Sequence, residues 1–140
     1  MSDLIEKIKD LRELTGAGFL DCKKALEENN NDIDSSIDFL RKKGLAKANK
    51  KSSREAKEGA IGVYSNTKIS TIIQINTETD FAAKNDLFLN FIDKIGNFIL
   101  NNDEIKDNIS IENIMSISFE NKIISEHFTD LIAKIGENII

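Results

Sequence analysis

The 140-residue sequence has no proline and no tryptophan, and it has only one cysteine and one histidine. Because Cys22 is alone, an internal disulfide is excluded, and Cys22 and His127 together cannot supply the four ligands of a zinc site. Any Ser-His-Asp or Cys-His chemistry would have to use His127. No apolar run approaches the roughly 18 residues of a membrane span, and no secretory signal follows Met1. These absences predict a protein that does not cross a membrane.

Motifs for nucleotide binding and acid–base catalysis are also missing. There is no Gly-x4-Gly-Lys phosphate loop, and the pair Gly16 and Gly18 follows a predicted helix rather than the strand of a dinucleotide fingerprint. Asp32, Asp34 and Asp38 lack the glycine of a calcium loop. No spacing pairs two carboxylates for acid–base work. The residues therefore favour a binding protein over an enzyme, with no cofactor, no metal and no direct binding of nucleotide.

Charge is distributed unevenly along the chain. Residues 1–60 carry 13 basic and 12 acidic side chains, whereas residues 61–140 carry 6 and 12. The segment 41–57 holds eight basic residues against Glu55 alone, and such a patch is enough for non-specific phosphate contact. It lacks interleaved aromatic residues for base stacking, so we interpret residues 46–57 as a solvated basic linker. RNA binding by this segment is the less favoured hypothesis, and nucleic acid is not an expected partner.

Apolar spacing predicts a bundle of three short helices in residues 1–45. In the first helix the apolar residues recur at steps of three and four, at Leu4, Ile5, Ile8 and Leu11. Two glycines in Thr15–Gly18 break this pattern, and Asn29–Asn31 makes the next turn. Asp32 is placed to cap a third helix, which Gly44 is predicted to end. A core this small is only marginally stable by itself.

The period changes in residues 58–140. Alternation predicts a β-hairpin from Ala60–Ser65 and Lys68–Asn76 with one solvated face. Helical spacing then returns, and the last helix is expected from Glu120 to Lys134. The final residues Ile139 and Ile140 are typical of an opening strand. We therefore predict an α+β chain, with a three-helix bundle followed by a β-hairpin packed with helices, in a core domain that is cut at its C-terminal strand.

Two places fit a purely structural account poorly. Phe19 and Leu20 are two large apolar residues at the start of a short helix in a very small bundle, so either one of them is exposed at a contact site or both pack inward. Phe81 follows the polar pair Thr79 and Asp80. From the residues alone we favour the structural interpretation there, in which Asp80 caps a helix and Phe81 packs inward.

Three segments resemble the signatures of the elongation factor Ts family, and they lie in that family's order and spacing. The first is Leu11–Leu26, with Leu-Thr-Gly-Ala-Gly at its centre. The second is Asn76–Asn85, which contains Thr-Asp-Phe, and the third is Ala133–Ile139. Together they are highly specific, and the resemblance covers essentially the whole chain.

The resemblance implies a guanine-nucleotide exchange factor, not an enzyme, that promotes GDP release from elongation factor Tu during translation elongation in the cytoplasm. The partner would be GDP-bound or nucleotide-free, and residues 1–45 would form a ubiquitin-associated-like domain. The residues implied to disturb the partner's magnesium and phosphate site are Thr79, Asp80, Phe81 and Ala82. The residues implied to contact it from the N-terminal domain are Arg12, Phe19 and Leu20.

The sequence also departs from the family's pattern. Phe19-Leu20 replaces the Met-Met pair common in the family, and Ala82 stands where valine is usual. Members of the family continue beyond the third signature, so the chain's end at Ile140 predicts an N-terminal fragment or a truncated product. The alternative function is that of a ubiquitin-associated-like adaptor module without exchange activity.

Overall fold

The computed structural model describes residues 2–140, with the side chains of residues 3–140. In chain order the elements are α1 (Ser2–Thr15), α2 (Phe19–Glu28), α3 (Ile33–Lys51), β1 (Glu58–Ser65), β2 (Ser70–Thr77), α4 (Asp80–Ala83), α5 (Asp86–Asn101), α6 (Asp103–Asp107), α7 (Ile111–Ser116), β3 (Ser118–Phe119), β4 (Lys122–Ile123) and α8 (Ile124–Ile135). Helices together with two antiparallel strand pairs make an α+β chain, as predicted. The chain divides into two compact units, Met1–Lys50 and Lys51–Ile140.

The first unit contains α1, α2 and nearly all of α3, as three helices around a small core. The buried apolar side chains are Ile8, Leu11, Cys22, Ala25 and Leu26. After α1, Gly16 takes a φ of 67°, a left-handed conformation that glycine adopts without steric cost. The amide of Ser35 donates to the Asp32 carboxylate over 2.8 Å, so Asp32 caps α3 as predicted.

The predicted end of the third helix at Gly44 is wrong, because α3 continues through that glycine to Lys51. A glycine inside a helix costs only about 1 kcal/mol relative to alanine. The residues that follow it, Leu45–Lys51, are mostly strong helix formers and offset that cost. The first part of the segment that we interpreted as a linker is therefore helical.

The second unit begins with the predicted β-hairpin, and its register decides which side chains face inward. Val63 lies opposite Ile72, and Tyr64 lies opposite Thr71. Ile75 is buried, whereas Val63 and Ile72 lie on the exposed face together with Ile61. The solvated face of the hairpin is thus more apolar than its sequence pattern indicated.

Helix α5 covers the inner face of the hairpin and supplies much of the core of this unit. Phe88, Ile92 and Ile95 of α5 are buried. The hydroxyl of Tyr64 donates to the Asp93 carboxylate over 2.8 Å. Burial, followed by the neighbouring Asp93 carboxylate, raises the pKa of Tyr64 to about 12.

The predicted start of the last helix at Glu120 is also wrong. Glu120 and Asn121 have φ values of 47° and 68° and form a left-handed turn between β3 and β4. Helix α8 then begins at Ile124. The Nε2 of His127 lies 2.6 Å from the carbonyl oxygen of Phe119, so this histidine ties α8 to β3.

The last residues of the chain form the strand-like segment that the sequence predicted. Gly136 ends α8 with a φ of 83°, and Ile139 then pairs with Thr77 in an antiparallel bridge. Asn76 and Ile140 exchange two backbone hydrogen bonds of 2.7 and 3.0 Å. Within the part of the chain that the structure describes, no helix has the length and apolar content to span a bilayer.

We predict that Gly96→Ala destabilises the protein. A Cβ at this position of α5 would lie 2.0 Å from the Cε2 of Tyr64, so the ring and its bond to Asp93 must move. We expect a loss of about 1–3 kcal/mol in the free energy of unfolding, measured with urea. The control Asn97→Ala, at an exposed position of the same helix, should change stability by less than about 0.5 kcal/mol. A gain in stability of Gly96→Ala, as helix propensity alone would give, would contradict the packing.

Candidate functional site

The candidate site of the second unit is a short projection, Thr79–Ala82, which we call the tip. Strand β2 ends at Thr77, and Thr79 is still extended at φ −121° and ψ 157°. The Thr79 hydroxyl accepts the amide of Ala82 over 3.3 Å and caps the four-residue helix α4. The expectation that Asp80 provides this cap is therefore wrong. Threonine takes this position because its side chain reaches the free amide three residues ahead.

Phe81 is the most exposed of the large apolar side chains in the described residues, with 84% of its surface accessible. The interpretation from the residues alone, in which Phe81 packs inward, is contradicted. Helix α4 is one turn long, and its inward side is filled by Ala82 and Ala83, which are buried. The alanines therefore hold the turn against the unit and leave the phenyl ring pointing into solvent.

The other two tip residues differ in what they can offer a partner. The carboxylate of Asp80 is partly exposed and lies 3.4 Å from the Nζ of Lys84. Such a surface pair contributes little to stability, so both groups are free to exchange partners. Ala82 is only 6% exposed, so its side chain supports the tip from within.

The base of the tip is held by Glu137, a residue to which sequence reasoning gave no role. Glu137 Oε2 accepts the amides of Glu78 and Thr79, each over 3.0 Å. Its Oε1 accepts the Thr79 hydroxyl over 2.5 Å. Because these residues lie about 58 positions apart in the chain, no local pattern in the sequence could have paired them.

A second set of contacts runs in the opposite direction. Glu78 Oε1 accepts the backbone amide of Asn138 over 2.7 Å and lies 3.6 Å from the guanidinium of Arg54. The buried side chain of Asn138 donates to the carbonyl of Arg54 over 2.7 Å. Glu78 and Glu137 thus each bind the backbone of the segment that carries the other, and Arg54 places a positive charge beside this pair.

The candidate residues of the first unit lie at the junction of α1 and α2. Phe19 is 46% exposed and Leu20 is 79% exposed, so the alternative in which both side chains pack inward is wrong. Arg12 is exposed on α1. It lines a shallow depression together with Lys9, Glu13, Gly16 and Ala17.

An ion pair fixes the helix that carries these apolar residues. The Asp21 carboxylate of α2 accepts the ammonium of Lys43 on α3 over 2.7 Å, and Lys47 lies at 3.8 Å. The hydrogen bond from Lys43 is the main cause that lowers the pKa of Asp21 below its ordinary value. The pair links α2 to α3 outside the core.

Little else in the described residues could carry chemistry. Burial raises the pKa of the Cys22 thiol, which is typical of a structural cysteine and not of a nucleophile. Among the described residues no group of three or more His, Cys, Asp or Glu side chains is arranged to hold a metal ion. The exposed apolar side chains of Phe81 and of Phe19 and Leu20, like those on the outer face of the hairpin, are of the kind found at protein–protein contacts.

Comparison with known proteins shows which proteins the chain is similar to. The sequence model of the family Elongation factor TS matches residues 78–140, the stretch from the base of the tip to Ile140. Proteins named Elongation factor Ts are similar over nearly the whole chain. One from Allorhizobium ampelinum is 46% identical over 132 residues, one from Brucella anthropi is 42% identical over 139 residues, and one from Nitratiruptor sp. is 45% identical over 136 residues.

Over nearly its whole length the chain is similar to proteins named Elongation factor Ts, and its residues 78–140 match the model of that family. The alignments cover 94%, 99% and 96% of the chain but only 42%, 44% and 43% of the three relatives. The chain therefore spans less than half the length of the curated relatives it matches.

We predict that Asp21→Asn makes the protein less sensitive to acid. The folded pKa of Asp21 is lowered, so this carboxylate stabilises the folded state above its unfolded pKa of about 3.9. That contribution is lost as the pH falls through the folded pKa. Because the pair is partly exposed, we expect less than about 1 kcal/mol.

The measurement is the free energy of unfolding of wild type and variant between pH about 5 and about 2. Asp10→Asn, at an exposed position of α1, is the control and should leave the acid dependence of the wild type in place. Equal acid dependence in the wild type and Asp21→Asn would contradict the assignment.

Proposed function

We propose that the chain acts in translation elongation as a guanine-nucleotide exchange factor for elongation factor Tu, through insertion of Phe81 into that partner. The single observation that carries this proposal is the phenyl ring exposed at 84% on a firmly hydrogen-bonded tip. An exposed ring on a mobile loop would lose conformational entropy on binding, and a held ring avoids much of that cost. The similarity to the elongation factor Ts family supports elongation factor Tu as the partner.

The mechanism we propose is linkage between two ligands of one protein. If Phe81 enters the partner only in a conformation in which the magnesium and phosphate contacts of GDP are broken, exchange factor and GDP weaken each other's binding by the same factor. Burying a phenyl side chain contributes about 1.5–3 kcal/mol. Each 1.4 kcal/mol corresponds to about tenfold in GDP affinity, so one ring can weaken GDP binding by about ten- to a hundredfold.

The polar residues of the tip have complementary roles in this proposal. Thr79 caps α4 and aims the ring, and Ala82 fills the space beneath it. Asp80 is held only by an exposed pair with Lys84, so its carboxylate is available to meet polar groups of the partner. The protein transforms no nucleotide covalently and is not an enzyme, and its partner is GDP-bound or nucleotide-free elongation factor Tu in the cytoplasm.

The first unit supplies a second contact in the same proposal. Residues 1–45 form a ubiquitin-associated-like bundle, and Phe19 and Leu20 present apolar surface that Arg12 accompanies with a positive charge. Two contacts on one partner raise the affinity beyond what either gives by itself, provided that both can engage together. The same observations support the exchange function at least as well as an adaptor function of the bundle, so we do not favour the adaptor function.

We predict that Phe81→Ala slows GDP release from elongation factor Tu by about ten- to a hundredfold relative to the wild-type chain. The fold should be retained, because the ring is exposed and contributes little to the core. Release is measured by stopped flow with a fluorescent GDP analogue. Ile109→Ala is the matched control, since Ile109 is a large apolar residue exposed at 75% outside the tip. Acceleration by Phe81→Ala equal to that of the wild type would refute the proposal.

We predict that Leu20→Ser weakens the affinity for elongation factor Tu and leaves release at saturating concentration close to that of the wild type. Leu20 belongs to the second contact, and removing it lowers binding without changing the ring that acts on the nucleotide site. A loss of about tenfold in affinity is expected, measured by calorimetry. If Leu20→Ser instead lowers the saturating rate and keeps the affinity, the proposal that the first unit provides affinity and Phe81 acts on the nucleotide site is wrong.

A further inference from the structure

We propose that the Glu137 carboxylate is a positioning group that sets the direction of Phe81, and that the segment after α8 thereby controls the exchange tip. This inference rests on the proposed function for its effect on exchange, but its structural part concerns this chain alone. Glu137 does not belong to the tip, and the tip residue that it bonds is Thr79. It acts through Thr79.

Helix α4 cannot hold its own orientation. A helix of four residues is far below the length at which isolated helices are stable in water. The entropy lost in fixing the first turn exceeds the free energy gained from its hydrogen bonds. The direction of Phe81 therefore depends on the packing of Ala82 and Ala83 and on the residue that enters the helix, which is Thr79. Fixing Thr79 fixes the first turn, and with it the ring.

Glu137 binds the polar groups of Thr79 that decide this geometry. It accepts the Thr79 amide and the Thr79 hydroxyl through its two different oxygens. Because the Thr79 hydroxyl donates its hydrogen bond to Glu137, its oxygen can accept the hydrogen bond from the amide of Ala82. The carbonyl of Thr79 is held in turn by the buried Thr77 hydroxyl over 2.8 Å and by the amide of Ala83 over 3.2 Å.

The carboxylate is itself held by the structure that follows α8. Gly136 turns the chain in a left-handed conformation immediately before Glu137. The amide of Asn138 is bound by Glu78, and the backbone of Ile140 is bound by Asn76. Glu137 is therefore placed by fixed neighbours on its C-terminal side, and its contacts to the tip are not those of a mobile surface side chain.

The test compares Glu137→Ala and Glu137→Gln in the whole chain, with Glu112→Ala, an exposed acidic position of α7, as the control. Glutamine has the same length, can accept the two amides with its oxygen and can donate to the Thr79 hydroxyl. If residue 137 acts only through its negative charge, both variants should lose its effect. If it acts by positioning Thr79, Glu137→Gln should keep most of the effect and Glu137→Ala should lose it. Urea unfolding of each variant establishes that it is folded.

The first readout is amide hydrogen exchange of the chain without its partner, followed by NMR. In Glu137→Ala the protection of Thr79 and Ala82 should fall by about tenfold, and that of Ile95 in the core should fall no more than global stability requires. In Glu137→Gln the same amides should keep protection within about threefold of the wild type. Unchanged protection of Thr79 and Ala82 in Glu137→Ala would overturn the inference.

The second readout is GDP release from elongation factor Tu in a double-variant cycle. If Glu137 acts by aiming Phe81, then Glu137→Ala slows release by about tenfold, and the double variant with Phe81→Ala is no slower than Phe81→Ala alone. Effects that multiply, or normal release by Glu137→Ala, would overturn the role of Glu137 in exchange. Failure of the wild-type chain to accelerate release would refute the proposed function instead, and the hydrogen-exchange result would still decide whether Glu137 positions the tip.

Discussion

A one-turn helix in water needs an external support, and this constraint governs the exposed tip. The support is a set of hydrogen bonds between two chain segments about 58 positions apart, centred on the carboxylate of Glu137 and the polar groups of Thr79. Hydrogen bonds to a charged acceptor are stronger than those between neutral groups, and here two backbone amides and a hydroxyl share one acceptor group. The ring of Phe81 can remain in water without packing on its own unit because its backbone is fixed in this way.

This arrangement separates stability from function within a few residues. Ala82 and Ala83 belong to the core, whereas Phe81 between Asp80 and Ala82 adds almost nothing to it. A large apolar side chain kept in solvent is unfavourable for the isolated protein, and its surface can be buried only on another molecule. In the function that we propose, that burial supplies the free energy which weakens the partner's hold on GDP, and the coupling between the two ligands is reciprocal.

The sequence predicted those features that depend on local pattern. The three N-terminal helices, the hairpin and the cap at Asp32 followed from apolar period and turn residues. The continuation of α3 through Gly44 was missed because favourable neighbours outweigh one glycine, and the exposure of Val63 could not be predicted because strand alternation does not say which face is covered. For Phe81 the local pattern favoured the interior, and only the resemblance to the family suggested a contact role. The support from Glu137 had no local signal at all, since it arises from tertiary contacts.

In the function that we propose, the side chain at position 81 itself enters elongation factor Tu. This insertion is tested most directly by placing a photoreactive benzoyl-phenylalanine at position 81, and separately at position 109, and illuminating each protein with nucleotide-free elongation factor Tu. We expect an efficient cross-link from position 81, at a site beside the nucleotide-binding pocket, that excess GDP suppresses, and little cross-linking from position 109. Equal cross-linking from both positions, or a cross-link from position 81 that GDP does not affect, would contradict the proposed insertion.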